Sequence, residues 1–127
     1  MSKRKTILVI DDSDICLTLA RDALEQAGYD VVAASSPLGA TRLLRASNAA
    51  AVVLDVAMPA MNGDKLVTLL KRASKVPVPI LLHSDRPSSE IHSLAAACGA
   101  SAAIEKAPDC APLVAAVDRF VGARGGF

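Results

Sequence analysis

Aromatic residues are nearly absent from this sequence. It contains no tryptophan, one tyrosine and two phenylalanines, which together make up 2% of its 127 residues. Hydrophobic residues nevertheless reach 52%, so a sizeable core can form, but alanine, valine, leucine and isoleucine must build it. Many of these residues stand in short uninterrupted runs, a pattern typical of strands that are covered on both faces.

The sequence also lacks an excess of charge of one sign and any long hydrophobic run. Fourteen lysines and arginines stand against 13 aspartates and glutamates, a formal net charge of +1. This balance gives no electrostatic support for binding nucleic acid or an acidic membrane. The first apolar run, residues 7–10, ends at Asp11 and is too short for a signal-peptide core or a membrane span. We therefore expect a cytoplasmic protein that binds neither nucleic acid nor membrane.

Cysteine is scarce and its spacing matches no metal-binding motif. The three cysteines, Cys16, Cys98 and Cys110, are an odd number. They are expected to be free, mostly buried thiols in a reducing compartment. Cys110 stands near a predicted helix start, where a thiolate would be favoured, although nothing else supports a reactive role.

Short apolar runs alternate with longer amphipathic stretches five times along the chain. The runs predict strands over Thr6–Ile10, Val31–Ala34, Ala51–Leu54, Pro79–His83 and Ala102–Glu105. The first predicted helix ends at Gly28, and the second begins with Ser36 as N-cap and Pro37 as its first residue. The third carries Leu66 to Ala73. The fourth runs from about Ser88 to Ala97, and the fifth from about Cys110 to Val121. This alternation predicts an α/β fold, a doubly wound five-stranded parallel sheet in three layers. We expect one domain over residues 1–127, with a core from about 5 to 121 and a loose tail at 122–127.

Polar residues follow four of the five predicted strands, at the edge where the carboxyl ends of parallel strands meet. They are Asp11 and Asp12, Asp55, Ser84 and Lys106, in chain order. If the first and third strands are neighbours, the three carboxylates crowd one corner and repel one another unless a cation is bound. Mg²⁺ is the natural partner for such oxygen ligands. Lys106 could pair with Asp55 or with a phosphoryl group on it, and Ser84 could donate a hydrogen bond to a phosphoryl oxygen.

Each of these residues also has an ordinary structural interpretation. Asp12 could be the N-cap of the first helix, Lys106 a surface lysine and Ser84 a turn residue. Their combination at one sheet edge favours the site, and Asp12 could serve both roles. His83 precedes Ser84 on a strand, so its side chain should face the opposite way and be a buried, hydrogen-bonded histidine. His92 is expected on a helix surface.

These residues, with the segment from Asp55 to Gly63, resemble the signature of response-regulator receiver domains of two-component signalling. The segment reads Asp-Val-Ala-Met-Pro-Ala-Met-Asn-Gly, which matches the family pattern Asp-x-x-Met-Pro-x-Met-x-Gly. The resemblance extends from about Lys5 to Phe120. It implies a flavodoxin-like sandwich with strand order 2-1-3-4-5.

The resemblance also implies roles for individual residues. Asp55 would be the phosphoacceptor and one of the Mg²⁺ ligands. The ion would also be bound directly by Asp12, through water by Asp11, and by the backbone carbonyl of Ala57. By the same resemblance Ser84 and Lys106 would contact the phosphoryl group. The chain would be a signalling phosphoacceptor and not an enzyme with an external substrate.

The expected donor is a phosphohistidine on a sensor histidine kinase or a phosphotransfer protein. Because no output domain is visible, we expect a stand-alone receiver that signals by phosphorylation-dependent partner binding. The expected surface comprises the fourth helix, the fifth strand and the fifth helix, here around residues 91–103 and 113–120.

Three positions depart from the family pattern. Ala103 stands where an aromatic residue is usual, so the aromatic half of the family's conformational switch is absent. The conformational change must then come from movement of the loop and the fourth helix, or it is weak. Lys106 is followed by Ala107 and not by a proline in a cis peptide, which predicts either a trans bond with a reshaped loop or a strained bond. Asp85 stands where a small residue is usual and would repel a phosphoryl donor.

Three alternative functions fit these residues to different degrees. A receiver-shaped interaction module that no longer depends on phosphate would explain Ala103, Ala107 and Asp85. A phosphatase of the haloacid-dehalogenase type would need a second acid where Ala57 stands. A flavin site would need a phosphate-binding loop after the first strand, where the acidic residues 11–14 would repel phosphate instead.

Overall fold

Strands and helices alternate along the chain, as the apolar runs predict. The structure is a computed structural model that describes residues 4–55, 63–73, 77–85 and 88–122. The strands are β1 (Thr6–Ile10), β2 (Asp30–Ala34), β3 (Ala51–Asp55), β4 (Ile80–Ser84) and β5 (Ala102–Glu105). The helices are α1 (Asp14–Gln26), α2 (Ala40–Ser47), α3 (Gly63–Ala73), α4 (Ser88–Cys98) and α5 (Ala111–Val121).

The five strands form one parallel sheet in the order β2-β1-β3-β4-β5, which confirms the predicted order. The side on which successive strands join the sheet reverses at β1, because β2 lies on one side of it and β3 on the other. Ile10 pairs with Leu54 in the register of β1 and β3. The residues that follow these two strands therefore lie side by side at the carboxyl edge of the sheet.

Helices cover both faces of the sheet, so the predicted three-layer sandwich is confirmed. Alternate residues of each strand point to opposite faces. Leu8 and Ile10 belong to the core beneath α2, α3 and α4, whereas Ile7 and Val9 belong to the core beneath α1 and α5. Burial on both faces explains why these strands read as continuous apolar runs.

The second helix begins later than its sequence pattern predicts. Its N-cap is Gly39 at φ 77°, so the prediction of Ser36 as N-cap and Pro37 as first helical residue is wrong. The Ser36 hydroxyl instead accepts a hydrogen bond from the N–H of Leu38 at 3.1 Å, which closes a local turn. A left-handed glycine just after this turn sets the start of the helix at Ala40.

Other boundaries differ by about one residue. The fourth strand includes Ser84, which the pattern had left outside, and Cys110 is the N-cap of α5. The peptide bond between Lys106 and Ala107 is trans, so of the two alternatives predicted from the sequence, a trans bond or a strained bond, the first is observed. Residues 123–127 of the predicted loose tail lie outside the described residues. Among the described helices, none is long and apolar enough to span a bilayer.

Candidate functional site

Three aspartates gather at the carboxyl edge of the sheet. Asp11 follows β1, and its N–H donates to the carbonyl of Ala34 at 3.0 Å, which continues the ladder with β2. Asp55 is the last residue of β3. Asp11 and Asp55 are buried, Asp12 is exposed, and carboxylate oxygens of all three lie within 4.8 Å of one another. The predicted crowding follows from the placement of β1 beside β3.

A single lysine neutralises part of this charge. The ammonium nitrogen of Lys106 lies 2.9 Å from Oδ2 of Asp11 and 3.7 Å from Oδ2 of Asp55. Its backbone N–H donates to the carbonyl of Ser84 at 2.7 Å, which holds the residue just after β5 against the end of β4. Lys106 therefore forms the expected ion pair with Asp55 but lies closer to Asp11.

The protonated form of Lys106 is favoured at this site. Burial lowers the pKa of Lys106, but the hydrogen bond to Asp11 and the charges of Asp11 and Asp55 outweigh burial, so its pKa lies above the ordinary value. Lys106 is therefore positively charged at neutral pH, and the interpretation of Lys106 as an ordinary surface lysine is wrong.

The first helix is capped by Ser13 and not by Asp12. The Ser13 hydroxyl accepts a hydrogen bond from the N–H of Cys16 at 3.3 Å. The carboxylate of Asp11 accepts a hydrogen bond from the N–H of Ser13 at 2.9 Å, which closes a turn before the helix. The N-cap therefore lies one residue later than Asp12. Asp12 belongs to the carboxylate cluster alone.

The donor set fits a hard divalent cation. Three carboxylates face one ammonium group, which leaves a net negative charge, and all their ligand atoms are oxygens. Mg²⁺ is bound in proteins by one or two carboxylates together with water and phosphate oxygens. The predicted fourth contributor, the carbonyl of Ala57, lies outside the described residues, as do the other positions of the motif from 56 to 62.

Ser84 is fully buried at the end of β4, where it pairs in register with Glu105 of β5. Hydrogen bonding of its hydroxyl to a phosphoryl group stays a prediction. Asp85 follows it and is exposed. Arg86, the next residue, lies outside the described residues.

The position of His83 beside Asp55 was not predicted from the sequence. It pairs directly with Asp55 in the register of β3 and β4, and alternation places both side chains on the face covered by α1 and α5. His83 is buried, but its Nε2 has no hydrogen-bond partner in the described structure, so the expectation of a hydrogen-bonded histidine is wrong. Burial and the charge of Lys106 lower its pKa to about 4, against the opposing charge of Asp11. The register of the two strands was the missing information.

Cys110 is a free, buried thiol, as expected, but its position at a helix start does not favour the thiolate. Cys110 is the N-cap of α5 at φ 58°, and its side chain makes no capping hydrogen bond. Burial, followed by the charges of Asp109 and Cys16, raises the pKa of Cys110 despite the opposing charge of Lys106. The thiolate is therefore disfavoured at this helix start.

Comparison with known proteins agrees with this geometry. The sequence profile of the response regulator receiver domain matches residues 7–118. The chain is 33% identical over 121 residues to the transcriptional regulatory protein PrrA of Mycobacterium bovis, a match that covers 95% of the chain and 51% of PrrA. It is 38% identical over 100 residues to protein-glutamate methylesterase/protein-glutamine glutaminase 1 of Anaeromyxobacter dehalogenans, covering 79% of the chain and 29% of that protein.

Solved structures show the same likeness. The chemotaxis protein CheY4 of Vibrio cholerae superposes with a TM-score of 0.81 at 25% identity, covering 93% of this chain and 99% of that one. A LuxR-family two-component response regulator from an Aurantimonas species gives a TM-score of 0.81 at 29% identity, covering 96% and 89%. The chain spans about half or less of the length of the curated relatives PrrA and the methylesterase.

Proposed function

The chain belongs to the response regulator receiver domain family, and from this membership we propose that Asp55 accepts a phosphoryl group from a phosphohistidine. The donor would be a sensor histidine kinase or a phosphotransfer protein in the cytoplasm. One observation carries the proposal: carboxylate oxygens of Asp11, Asp12 and Asp55 lie within 4.8 Å of one another, with Lys106 in contact with two of them.

In the proposed reaction a carboxylate oxygen of Asp55 attacks the phosphorus of the donor. The bond from phosphorus to the donor's imidazole nitrogen breaks, the nitrogen keeps the electron pair, and an acyl phosphate forms on Asp55. Lys106 is already beside Asp55 at 3.7 Å and counters the charge of the arriving group. The Ser84 hydroxyl is proposed to donate a hydrogen bond to a phosphoryl oxygen.

Asp11, Asp12 and Asp55, with the carbonyl of Ala57, are the residues proposed to hold Mg²⁺. When bound, the ion would neutralise negative charge on the phosphoryl group as it is transferred. The three aspartates otherwise have only one neighbouring cation, Lys106, among the described residues. We therefore propose that transfer requires the divalent ion.

The proposed role is that of a phosphoacceptor and not of an enzyme that turns over a separate substrate. Receiver domains are signalling phosphoacceptors, and the methylesterase activity of the Anaeromyxobacter relative is that protein's own. Hydrolysis of the acyl phosphate on Asp55 would end the signal.

We propose that the output is phosphorylation-dependent binding of a partner protein on the face formed by α4, β5 and α5. The end of β5 is linked to the site, because Lys106 follows it and hydrogen-bonds β4 through the carbonyl of Ser84. Ala103 of this face has only a methyl group, so movement of α4 and its loop would carry the change. Action without an attached output domain stays a prediction.

The test is labelling of the purified protein by acetyl phosphate, followed by intact mass. We expect the wild-type protein to gain one phosphoryl group only when Mg²⁺ is present, and Asp55→Asn to gain none. Asp30→Asn makes the same chemical change at an exposed position at the start of β2 and should label normally. Labelling of Asp55→Asn, or labelling of the wild type without a divalent ion, would contradict the proposal.

A second candidate is a receiver-shaped module whose partner binding ignores phosphate. Ala103 favours it, because a methyl group cannot relay a change by moving between inward and outward positions. Nuclear magnetic resonance spectra with and without beryllofluoride and Mg²⁺ distinguish the two. Shifts in the amides of α4, β5 and α5 that vanish in Asp55→Asn support phosphorylation-dependent output, and shifts confined to the aspartate site support the second candidate.

A further inference from the structure

A groove of about 450 Å³ lies between α4 and α5 along β5. β5 is the edge strand of the sheet, with β4 as its single neighbour. Helices on opposite faces of a sheet leave a gap at such an edge unless long side chains fill it. Alanines contribute part of the lining here: Ala103 comes from β5, and Ala115 and Ala116 come from α5.

The floor of the groove is therefore recessed and apolar. Each of these alanines contributes one methyl group, and Ala103 and Ala116 are half-buried, so the chain itself does not occupy the space above them. A flat partner surface would leave this volume empty, and an empty apolar volume forfeits contacts on its lining. A partner that projects a large apolar side chain into the recess would restore these contacts.

The wall of the groove has a positive charge. Arg119 lines it, with its guanidinium carbon 5.5 Å from the centroid of the Phe120 ring, and His92 of α4 stands on the other side. None of the described residues that line the groove is acidic, and Arg119 has no carboxylate within 4 Å among the described residues. Electrostatic complementarity therefore favours a carboxylate on the partner beside the apolar side chain.

A second copy of this chain fits the groove poorly. Tyr29 is fully buried and Phe120 already forms part of the groove, so neither can enter it from a second copy, and Phe127 lies outside the described residues. A symmetric contact through this face would bring the Arg119 side chains of two copies toward each other, and like charges in an interface oppose binding. The occupant is therefore expected to be a different protein.

We propose that this groove recognises a partner protein through one aromatic side chain seated over Ala103 and Ala115 and an adjacent carboxylate paired with Arg119. This inference rests on the proposed function, because it specifies the chemistry of the partner that the α4, β5 and α5 face receives. Aromatic side chains that enter a recess at the centre of an interface commonly dominate its affinity.

The probe is the dipeptide N-acetyl-Phe-Glu-amide, titrated at millimolar concentrations into ¹⁵N-labelled full-length protein. We expect it to shift the amides of residues 102–104 and 115–120. Two matched dipeptides, N-acetyl-Phe-Lys-amide and N-acetyl-Ala-Glu-amide, should bind about fivefold more weakly or worse, because each lacks one of the two features. Equal affinity for all three, or no shift at the groove, would overturn the proposal.

Variants of the groove test the same contacts. Ala115→Leu, at an exposed position of α5, should fill the recess and weaken binding of the Phe-Glu dipeptide about fivefold or more, and Ala103→Phe should do the same. Arg119→Glu should reverse the preference in favour of the Phe-Lys dipeptide. Unchanged affinity in Ala115→Leu, or an unchanged preference in Arg119→Glu, contradicts the model of recognition even if Ala103→Phe does not fold.

Failure of this inference can be separated from failure of the proposed function. Asp55→Asn should bind the Phe-Glu dipeptide as the wild type does, while it loses acetyl-phosphate labelling. Normal labelling of the wild type together with equal affinity for the three dipeptides would contradict the proposed groove and leave the proposed function intact. Selective binding of the Phe-Glu dipeptide without acetyl-phosphate labelling would contradict the proposed role of Asp55. The groove would then be the binding site of a phosphate-independent module.

Discussion

Lys106 lies closer to Asp11 than to the proposed phosphoacceptor: its ammonium nitrogen is 2.9 Å from the Asp11 carboxylate, and Asp55 is at 3.7 Å. The lysine therefore neutralises the same acids that are proposed to hold a divalent ion. Two cations that share one set of carboxylates repel each other, so the lysine weakens binding of the ion even as it holds the acids together.

Lys106→Met is expected to bind Mg²⁺ more tightly than the wild type does, by about fivefold or more, because one positive charge is removed from beside the acids. Titration with Mg²⁺, followed by amide shifts of residues 10–14, measures the affinity. Lys71→Met is the control, since Lys71 is exposed and its ammonium group bonds the carbonyl of Gly99 and no acid of the site. Unchanged or weaker affinity in Lys106→Met would count against the shared set of ligands.

His83→Leu is expected to change how stability depends on pH. The pKa of His83 is lowered to about 4 in the folded protein, against 6.5 for an ordinary histidine, so the unfolded chain takes up the proton first. This contribution to stability is complete above pH 6.5 and is lost as the pH falls to 4. The free energy of unfolding of the wild type should therefore fall relative to that of the variant by up to about 3 kcal/mol over this range.

Urea unfolding of both proteins at intervals from pH 4 to 7 measures this difference. Above pH 6.5 the variant should be at least as stable as the wild type, because it removes a buried nitrogen that has no hydrogen-bond partner in the described structure. His92→Leu applies the same substitution to an exposed histidine and should give a smaller difference. A constant difference between wild type and His83→Leu would contradict the prediction.

The order of elements was predictable from the sequence because burial on both faces of a parallel sheet leaves runs such as residues 7–10 without a polar interruption. Helix starts were less predictable, because local signals compete. Ser36 and Pro37 form a good N-cap pattern, yet the left-handed Gly39 turns the chain before the helix begins. A glycine permits this conformation without requiring it, so the pattern alone did not reveal it.

At the site, the residues at strand ends were predictable and their partners were not. Asp11 and Asp55 meet because β1 and β3 are neighbours, an order that came from resemblance and that composition does not fix. The closeness of His83 to Asp55 depends on the register of β3 and β4. Register is set by packing of the whole sheet, so it could not be read from either strand alone.

Ser13→Ala should destabilise the protein by about 1 kcal/mol, the usual cost of losing a helix N-cap, because the Ser13 hydroxyl accepts from the N–H of Cys16. Ser36→Ala is the matched control. Its hydroxyl accepts from the N–H of Leu38 in a turn that does not cap a helix, so its cost should be a few tenths of a kcal/mol. Thermal or urea unfolding compares the two. Equal costs would show that the turn at Ser36 contributes as much as a helix cap.

Tyr29→Phe should destabilise the protein by about 1.5–2 kcal/mol, because it removes a partly buried hydrogen bond to a carboxylate. The Tyr29 ring is fully buried after α1, and its hydroxyl donates to Oδ1 of Asp118 on α5 at 2.5 Å. The ammonium group of Lys5 donates to the carbonyl of Val121 at 2.7 Å and secures the same end of α5. Urea unfolding measures the loss, and faster hydrogen exchange in the last turn of α5 should accompany it.

Asp118→Asn keeps an oxygen acceptor for the Tyr29 hydroxyl, so its cost should be less than half that of Tyr29→Phe. If the two variants cost the same, the charge of Asp118 and not the hydrogen bond itself would be the stabilising contribution. If Tyr29→Phe costs nothing, the hydroxyl does not anchor α5. In that case Lys5 and the apolar contacts of α5 would hold the helix against the sheet, and Lys5→Met should then produce the faster exchange in its last turn.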